Sequence, residues 1–142
     1  MQKYKHILLA TDLHSENMKA THKAVAQAEQ NGAKLSVVHV VEPLPAYAMG
    51  YFGSVNIEKE LIDEAQKNMA ELGKKINVAE QDLHVEIGSV KVAVLSIAKE
   101  VGADLIIVGS HGRHGLEKLL GSTAAGVLHG AECDVLIVRT HD

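Results

Sequence analysis

Short apolar stretches rich in β-branched residues alternate along this chain with longer stretches in which apolar residues recur every three or four positions. HILLAT (His6–Thr11) is the first apolar run, and it ends at Asp12. From Ser15 to Asn31, Met18, Ala20, Val25, Ala26 and Ala28 lie in a helix-forming segment, with Ser15 placed as N-cap and Gly32 as stop. KLSVVHVV (Lys34–Val41) reads as a second strand closed by Pro43 and Pro45. Residues 46–56 lack a period and read as a loop, after which Leu61, Ala65, Met69, Leu72 and Ile76 predict a long helix from about Ile57 to Ala79. Gly73 falls inside that helix at a modest propensity cost.

LHVEI (Leu83–Ile87) alternates as a peripheral strand does, and Gly88-Ser89 turns into a helix over Val90–Val101 ended by Gly102. Val94, Leu95 and Ala98 are among that helix's apolar positions. DLIIVG (Asp104–Gly109) is apolar almost throughout, as a strand covered on both faces must be. A short helix over Ser122–His129 and a last strand, DVLIVR (Asp134–Arg139), complete the series. Strands alternating with helices of this length predict βαβ units: a three-layer α/β/α, Rossmann-like single domain over residues 1–142 with a parallel sheet. Such sheets bind ligands outside the carboxyl ends of their strands, where the strand order reverses.

Composition narrows the function classes. Against 14 Lys+Arg stand 18 Asp+Glu, a formal net charge of -4, with no arginine-rich block, so nucleic acid is disfavoured as a partner. Aromatics are 3% and Trp is absent, which argues against a stacking platform for single strands. No apolar stretch reaches the ~18 residues of a membrane span, and none forms a signal peptide, so the expected location is the cytoplasm. The single cysteine, Cys133, excludes an internal disulfide and reads as a small residue beside a strand.

The segment GSHGRHGLEKLLGST (Gly109–Thr123) follows the fourth strand directly. Glycines at 109 and 112 permit close backbone approach, so successive N–H groups can converge on an anion. Gly121-Ser122-Thr123 then opens a helix whose first N–H groups and positive dipole end favour phosphate. The hydroxyls of Ser122 and Thr123 can donate to phosphate oxygens or cap the helix. No Lys follows Gly121, so this is not a Walker A loop, and ATDLHSEN after the first strand is not the dinucleotide fingerprint.

With ILLATD at the first strand, VVHVVEP at the second, ADLIIVGSHGR at the fourth and CDVLIVR at the end, the chain resembles the universal stress proteins of the UspA type through nearly all its residues. ATP-binding members of that family carry Gly-x2-Gly-x9-Gly-Ser/Thr after strand four. Here Gly109, Gly112 and Gly121-Ser122 are in place, but eight residues separate Gly112 from Gly121. The resemblance implies a strand order of 3-2-1-4-5, and with it a site at the edge shared by strands one and four. It implies that Ala10, Thr11 and Asp12 approach the ribose or the metal-phosphate side, and that Val40 meets adenine through its backbone. Gly109, Gly112, Arg113, Gly121, Ser122 and Thr123 would then hold ribose and phosphates. The ligands implied are ATP, ADP or AMP, with Mg²⁺ carried by Asp12 through water.

The function expected is that of an adenine-nucleotide-binding sensor or regulator of the stress response. The alternatives are a non-ATP-binding interaction protein of the same fold, serving an unidentified protein partner, and a weak ATPase. Hydrolysis would draw on Arg113, His111 and His114 for charge, and no dedicated base is evident. His39 lies on a strand covered on both faces and is expected to be a hydrogen-bonded histidine in or near the core. The final strand lacks a following helix to cover its outer edge, and a homodimer paired through Val135, Ile137 and Val138 would protect it. The loop over residues 42–56 is placed to close the adenine side.

Overall fold

The computed structural model describes residues 3–13, 18–43, 56–110 and 122–139. In chain order the elements are β1 (His6–Ala10), α1 (Lys19–Asn31), β2 (Lys34–Val41), α2 (Asn56–Ile76), a 3-10 turn (Glu80–Asp82), β3 (Leu83–Ile87), α3 (Val90–Val101), β4 (Leu105–Gly109), α4 (Ser122–Gly130) and β5 (Asp134–Val138). All strands pair in parallel, in the order β3-β2-β1-β4-β5. The α/β class and the order 3-2-1-4-5 are both as expected.

Side-chain alternation divides the core between the two faces of the sheet. Ile7, Leu9, Val37, Leu105 and Ile107 pack with Ala24 and Ala28 of α1 and with Met69 and Leu72 of α2. Leu8, Val38, Val40, Ile106 and Val108 pack with Val94, Ile97 and Ala98 of α3 and with Ala124 and Val127 of α4. On β5, Val135 and Ile137 join the second cluster, while Leu136 and Val138 join the first. The central strands β1 and β4 are buried nearly throughout, as their unbroken apolar runs require.

Several boundaries differ from the sequence reading. α1 begins at Lys19, with Met18 at the N-cap position and no side-chain cap, and its first bond runs from the His22 N–H to the Met18 carbonyl at 2.8 Å. Ser15, the expected cap, lies outside the described residues. The buried stripe of α1 is Thr21, Ala24 and Ala28, with the two alanines packed against the sheet. α2 stops at Ile76 because Asn77 takes a left-handed φ of 58° and the Val78 N–H returns to the Gly73 carbonyl at 2.9 Å. Asp104 precedes β4, and its carboxylate accepts the Lys5 N–H at 2.9 Å and the His6 N–H at 3.0 Å. That bond set ties the entry of β4 to the entry of β1.

Cys133 is half-buried beside β5, and burial, followed by the carboxylates of Asp134, Asp104 and Glu132, pushes its thiol up, away from reactivity. Among the described residues, no helix is long and apolar enough to cross a membrane.

Candidate functional site

The carboxyl ends of β1, β2 and β4 open onto a cavity of about 640 Å³. Small-molecule sites typically enclose about 300–1,000 Å³, so the space is of ligand size. Because β1 leads to β2 on one side and the chain later returns as β4 on the other, the cavity sits where the winding of the sheet reverses. On the α3/α4 face its wall is apolar: Ala10, Val38, Val40, Val90, Val94, Val108 and Ala124. On the α1/α2 face it is mixed, with Thr11, Thr21, His39, Leu61, Glu64 and Asn68. Asp12, Leu13, Glu42, Gly109, Ser110 and Thr123 line its remaining perimeter.

Local backbone chemistry shapes the end of β1. The last bond from β1 to β2 is the Thr11 N–H to the Val38 carbonyl at 3.0 Å. Thr11 Oγ1 then accepts the Leu13 N–H at 3.0 Å, and Leu13 holds a left-handed φ of 64°. Such a conformation costs a non-glycine residue roughly 1–2 kcal/mol, and here it falls where the ladder to β2 ends. The His39 Nδ1–H donates to the Thr11 carbonyl at 2.8 Å, which fixes the tautomer and anchors the same turn from β2. Asp12, exposed between Thr11 and Leu13, is thereby carried at the mouth of the cavity.

β2 continues past this point without β1. Carbonyls along a parallel strand face alternate sides: that of Val38 faces β1 and that of Val41 faces β3, where it accepts the Gly88 N–H at 3.0 Å. The N–H and C=O of Val40 therefore face the side from which β1 has turned away. A buried residue of the apolar wall thus presents one donor and one acceptor toward the cavity. On the opposite side, the Ser110 N–H donates to the Val138 carbonyl at 2.7 Å, so the ladder from β4 to β5 extends to the start of the glycine segment.

Of the residues singled out from sequence, Ala10, Thr11, Asp12, Val40, Gly109 and Thr123 meet around this one cavity. Ser122 is the first residue of α4, so the start of that helix borders the same space. Gly112, Arg113 and Gly121 lie outside the described residues, as do His111 and His114 and most of the loop that follows β2. Sequence reasoning did not identify Leu13, Thr21, Glu64 and Asn68 as lining residues. Their contribution comes from α1, α2 and a strained turn, none of which has a local motif. His39 is hydrogen-bonded as expected, but it is half-buried and lines the cavity.

A profile of the Universal stress protein family matches residues 3–139. Universal stress protein A homolog 2 of Coxiella burnetii is 44% identical over 142 residues, covering 98% of this chain and 97% of its own. Homolog 1 of the same organism is 44% identical over 138 residues, covering 95% of this chain and 96% of its own. Among solved structures, the universal stress protein UspA from Lactobacillus plantarum superposes with a TM-score of 0.77 at 24% identity, covering 98% of this chain and all of its own. A universal stress protein in complex with cAMP superposes with a TM-score of 0.62 at 28% identity, covering 98% of this chain and 99% of its own.

Proposed function

The chain belongs to the universal stress protein family, and from that premise we propose that it binds an adenine nucleotide, ATP with Mg²⁺, as a cytoplasmic sensor or regulator of the stress response. The observation that carries this reading is the open backbone edge of Val40 on the apolar wall of the cavity. Adenine is a flat apolar ring with a polar rim that alternates acceptor and donor. Val38, Val90, Val94, Val108 and Ala124 offer the faces that such a ring needs, and Val40 offers the two backbone groups for its rim.

The remaining parts of the nucleotide follow the perimeter. Thr11 and Gly109 flank the place of the ribose, and Thr123 at the start of α4 favours the phosphates together with Ser122 and the glycines at 112 and 121. Asp12 supplies an oxygen ligand suited to Mg²⁺ or to a water bound to it, and the cation would offset phosphate charge. The relative solved with cAMP supports an adenine ligand in this fold. A homodimer through the outer edge of β5 belongs to the same proposal, since all four of its apolar residues are only half-buried.

The test is isothermal titration of nucleotide-stripped protein with ATP, ADP, AMP and cAMP, with and without Mg²⁺, repeated on Gly121→Val. Saturable binding that weakens at least tenfold in the variant is the expected result. A folded wild type that takes up none of the four overturns the proposal. That outcome would favour the second reading, an interaction protein of the same fold, to which the eight-residue span between Gly112 and Gly121 already points.

A further inference from the structure

Two backbone groups just beyond β1, the Thr11 carbonyl and the Leu13 N–H, stand in sequence register to continue its ladder with Val40, and both are diverted. In a parallel pair the residue two beyond Val38 would give its N–H to the Thr11 carbonyl and accept the Leu13 N–H. Instead the Thr11 carbonyl accepts from His39 Nδ1 at 2.8 Å, and the Leu13 N–H goes to Thr11 Oγ1 at 3.0 Å. The ladder therefore ends by substitution: one side chain takes the acceptor and another takes the donor. His39 does this from the face of β2 shared with Val37, the α1/α2 face, whereas Val38 and Val40 line the apolar wall on the other. Its ring does not belong to the apolar wall against which a base would lie.

We propose that His39 is a positioning residue for base recognition: by holding the Thr11 carbonyl it keeps the N–H and C=O of Val40 available to the adenine rim. The inference rests on the adenine-nucleotide reading of the cavity. Adenine N1 accepts one hydrogen bond and the 6-amino group donates one, which matches the single donor and single acceptor of Val40. Without the imidazole, the Thr11 carbonyl turns to the Val40 N–H as its nearest donor in register. The ladder then advances one step and covers the edge that reads the base.

The test compares ATP with purine riboside triphosphate, which lacks the 6-amino group, on wild type, His39→Leu and His39→Asn. Wild type is expected to prefer ATP about tenfold, the worth of one net hydrogen bond. In His39→Leu the preference falls below about twofold on the same scale. His39→Asn retains it, because a side-chain amide N–H can stand where the Nδ1–H stood. Amide hydrogen exchange, measured without nucleotide, provides an independent readout: the Val40 N–H becomes more protected in His39→Leu than in wild type. Should His39→Leu fail to fold, Thr11→Val releases the Leu13 N–H toward the Val40 carbonyl and carries the same expected loss of preference.

An unchanged preference in the folded variant, or an unchanged exchange rate at Val40, overturns the inference. So does a wild type that binds ATP and purine riboside triphosphate equally, although nucleotide binding itself then stands. A wild type that binds neither overturns both this inference and the reading beneath it.

Discussion

Leu83 lies directly over Gly73: a Cβ added to that glycine would stand 2.6 Å from Leu83 Cδ1 and 3.1 Å from the Val78 carbonyl oxygen. The glycine is what lets the last turn of α2 meet the first residue of β3 and the turn that returns to it. In an exposed helix, exchanging Gly for Ala gains about 1 kcal/mol. Here Leu83 must move and the Val78 carbonyl, whose residue is tied to Gly73 by its own N–H, must give by a few tenths of an ångström, so Gly73→Ala is expected to lose about 1–2 kcal/mol through overpacking. Urea denaturation checks the sign. Combining it with Leu83→Val should cost less than the sum of the two changes, since the smaller side chain withdraws the clashing methyl.

Asp104 fastens the amino ends of β1 and β4 to each other. Burial works against its charged form, but the N–H groups of Lys5 and His6 hold its carboxyl below the usual carboxylate value. Because the folded-state value is depressed, the stabilisation is present above the unfolded carboxylate pKa of about 3.9 and is lost as pH falls through the folded one. The carboxylate is largely exposed, so screening keeps its worth modest. Asp104→Asn is expected to lose about 1 kcal/mol near pH 7 and progressively less toward pH 3. Denaturant midpoints of both proteins across that range measure the difference; a constant gap would contradict the charge-assisted bond.

How far the sequence revealed this molecule depends on whether the deciding contact was local. The apolar runs of β1 and β4 and the β-branched run of β2 marked strands because burial on both faces leaves no other pattern. The glycine-hydroxyl segment from Gly109 to Thr123 stood out because its chemistry is contiguous, and only its two ends lie among the described residues. Gly73 read only as a propensity cost, since the side chain that needs its space arrives after a turn. Val40 was named through the family resemblance alone, and why its backbone edge is open was hidden for a deeper reason. That Val40 faces an abandoned strand edge follows from Thr11, Leu13 and His39 exchanging partners across a register that no spacing encodes.

His6 gives the fold a second pH response. Its Nε2 meets Ser36 Oγ at 2.7 Å, and Ser36 is fully buried. Burial, then the Lys34 ammonium, lowers the imidazole pKa, against the opposing pull of Asp82, Asp104 and the Val101 backbone. The folded state thus resists protonation more than the unfolded chain does. Stability from this group is present above the ordinary histidine value of about 6.5 and is lost as pH falls through the lower folded-state value. Thermal midpoints recorded downward from pH 7.5 should show a decline that His6→Asn flattens. The decline begins at higher pH than the one governed by Asp104, so the two are separable in one titration.

The outer edge of β5 supplies the last prediction. The Val138 carbonyl accepts the Ser110 N–H at 2.7 Å, so Val138, and by alternation Leu136, direct their backbone groups toward β4. The N–H groups of Val135 and Ile137 therefore point away from the sheet, toward the edge at which a second copy would pair. Proline cannot donate, so Ile137→Pro removes a bond from that edge while sparing the ladder to β4. Leu136→Pro removes a bond inside the sheet. If two copies join through this strand, Ile137→Pro sediments as a folded monomer where wild type sediments as a dimer, and Leu136→Pro loses stability at any concentration. A wild-type dimer that Ile137→Pro leaves intact would place the interface elsewhere on the molecule.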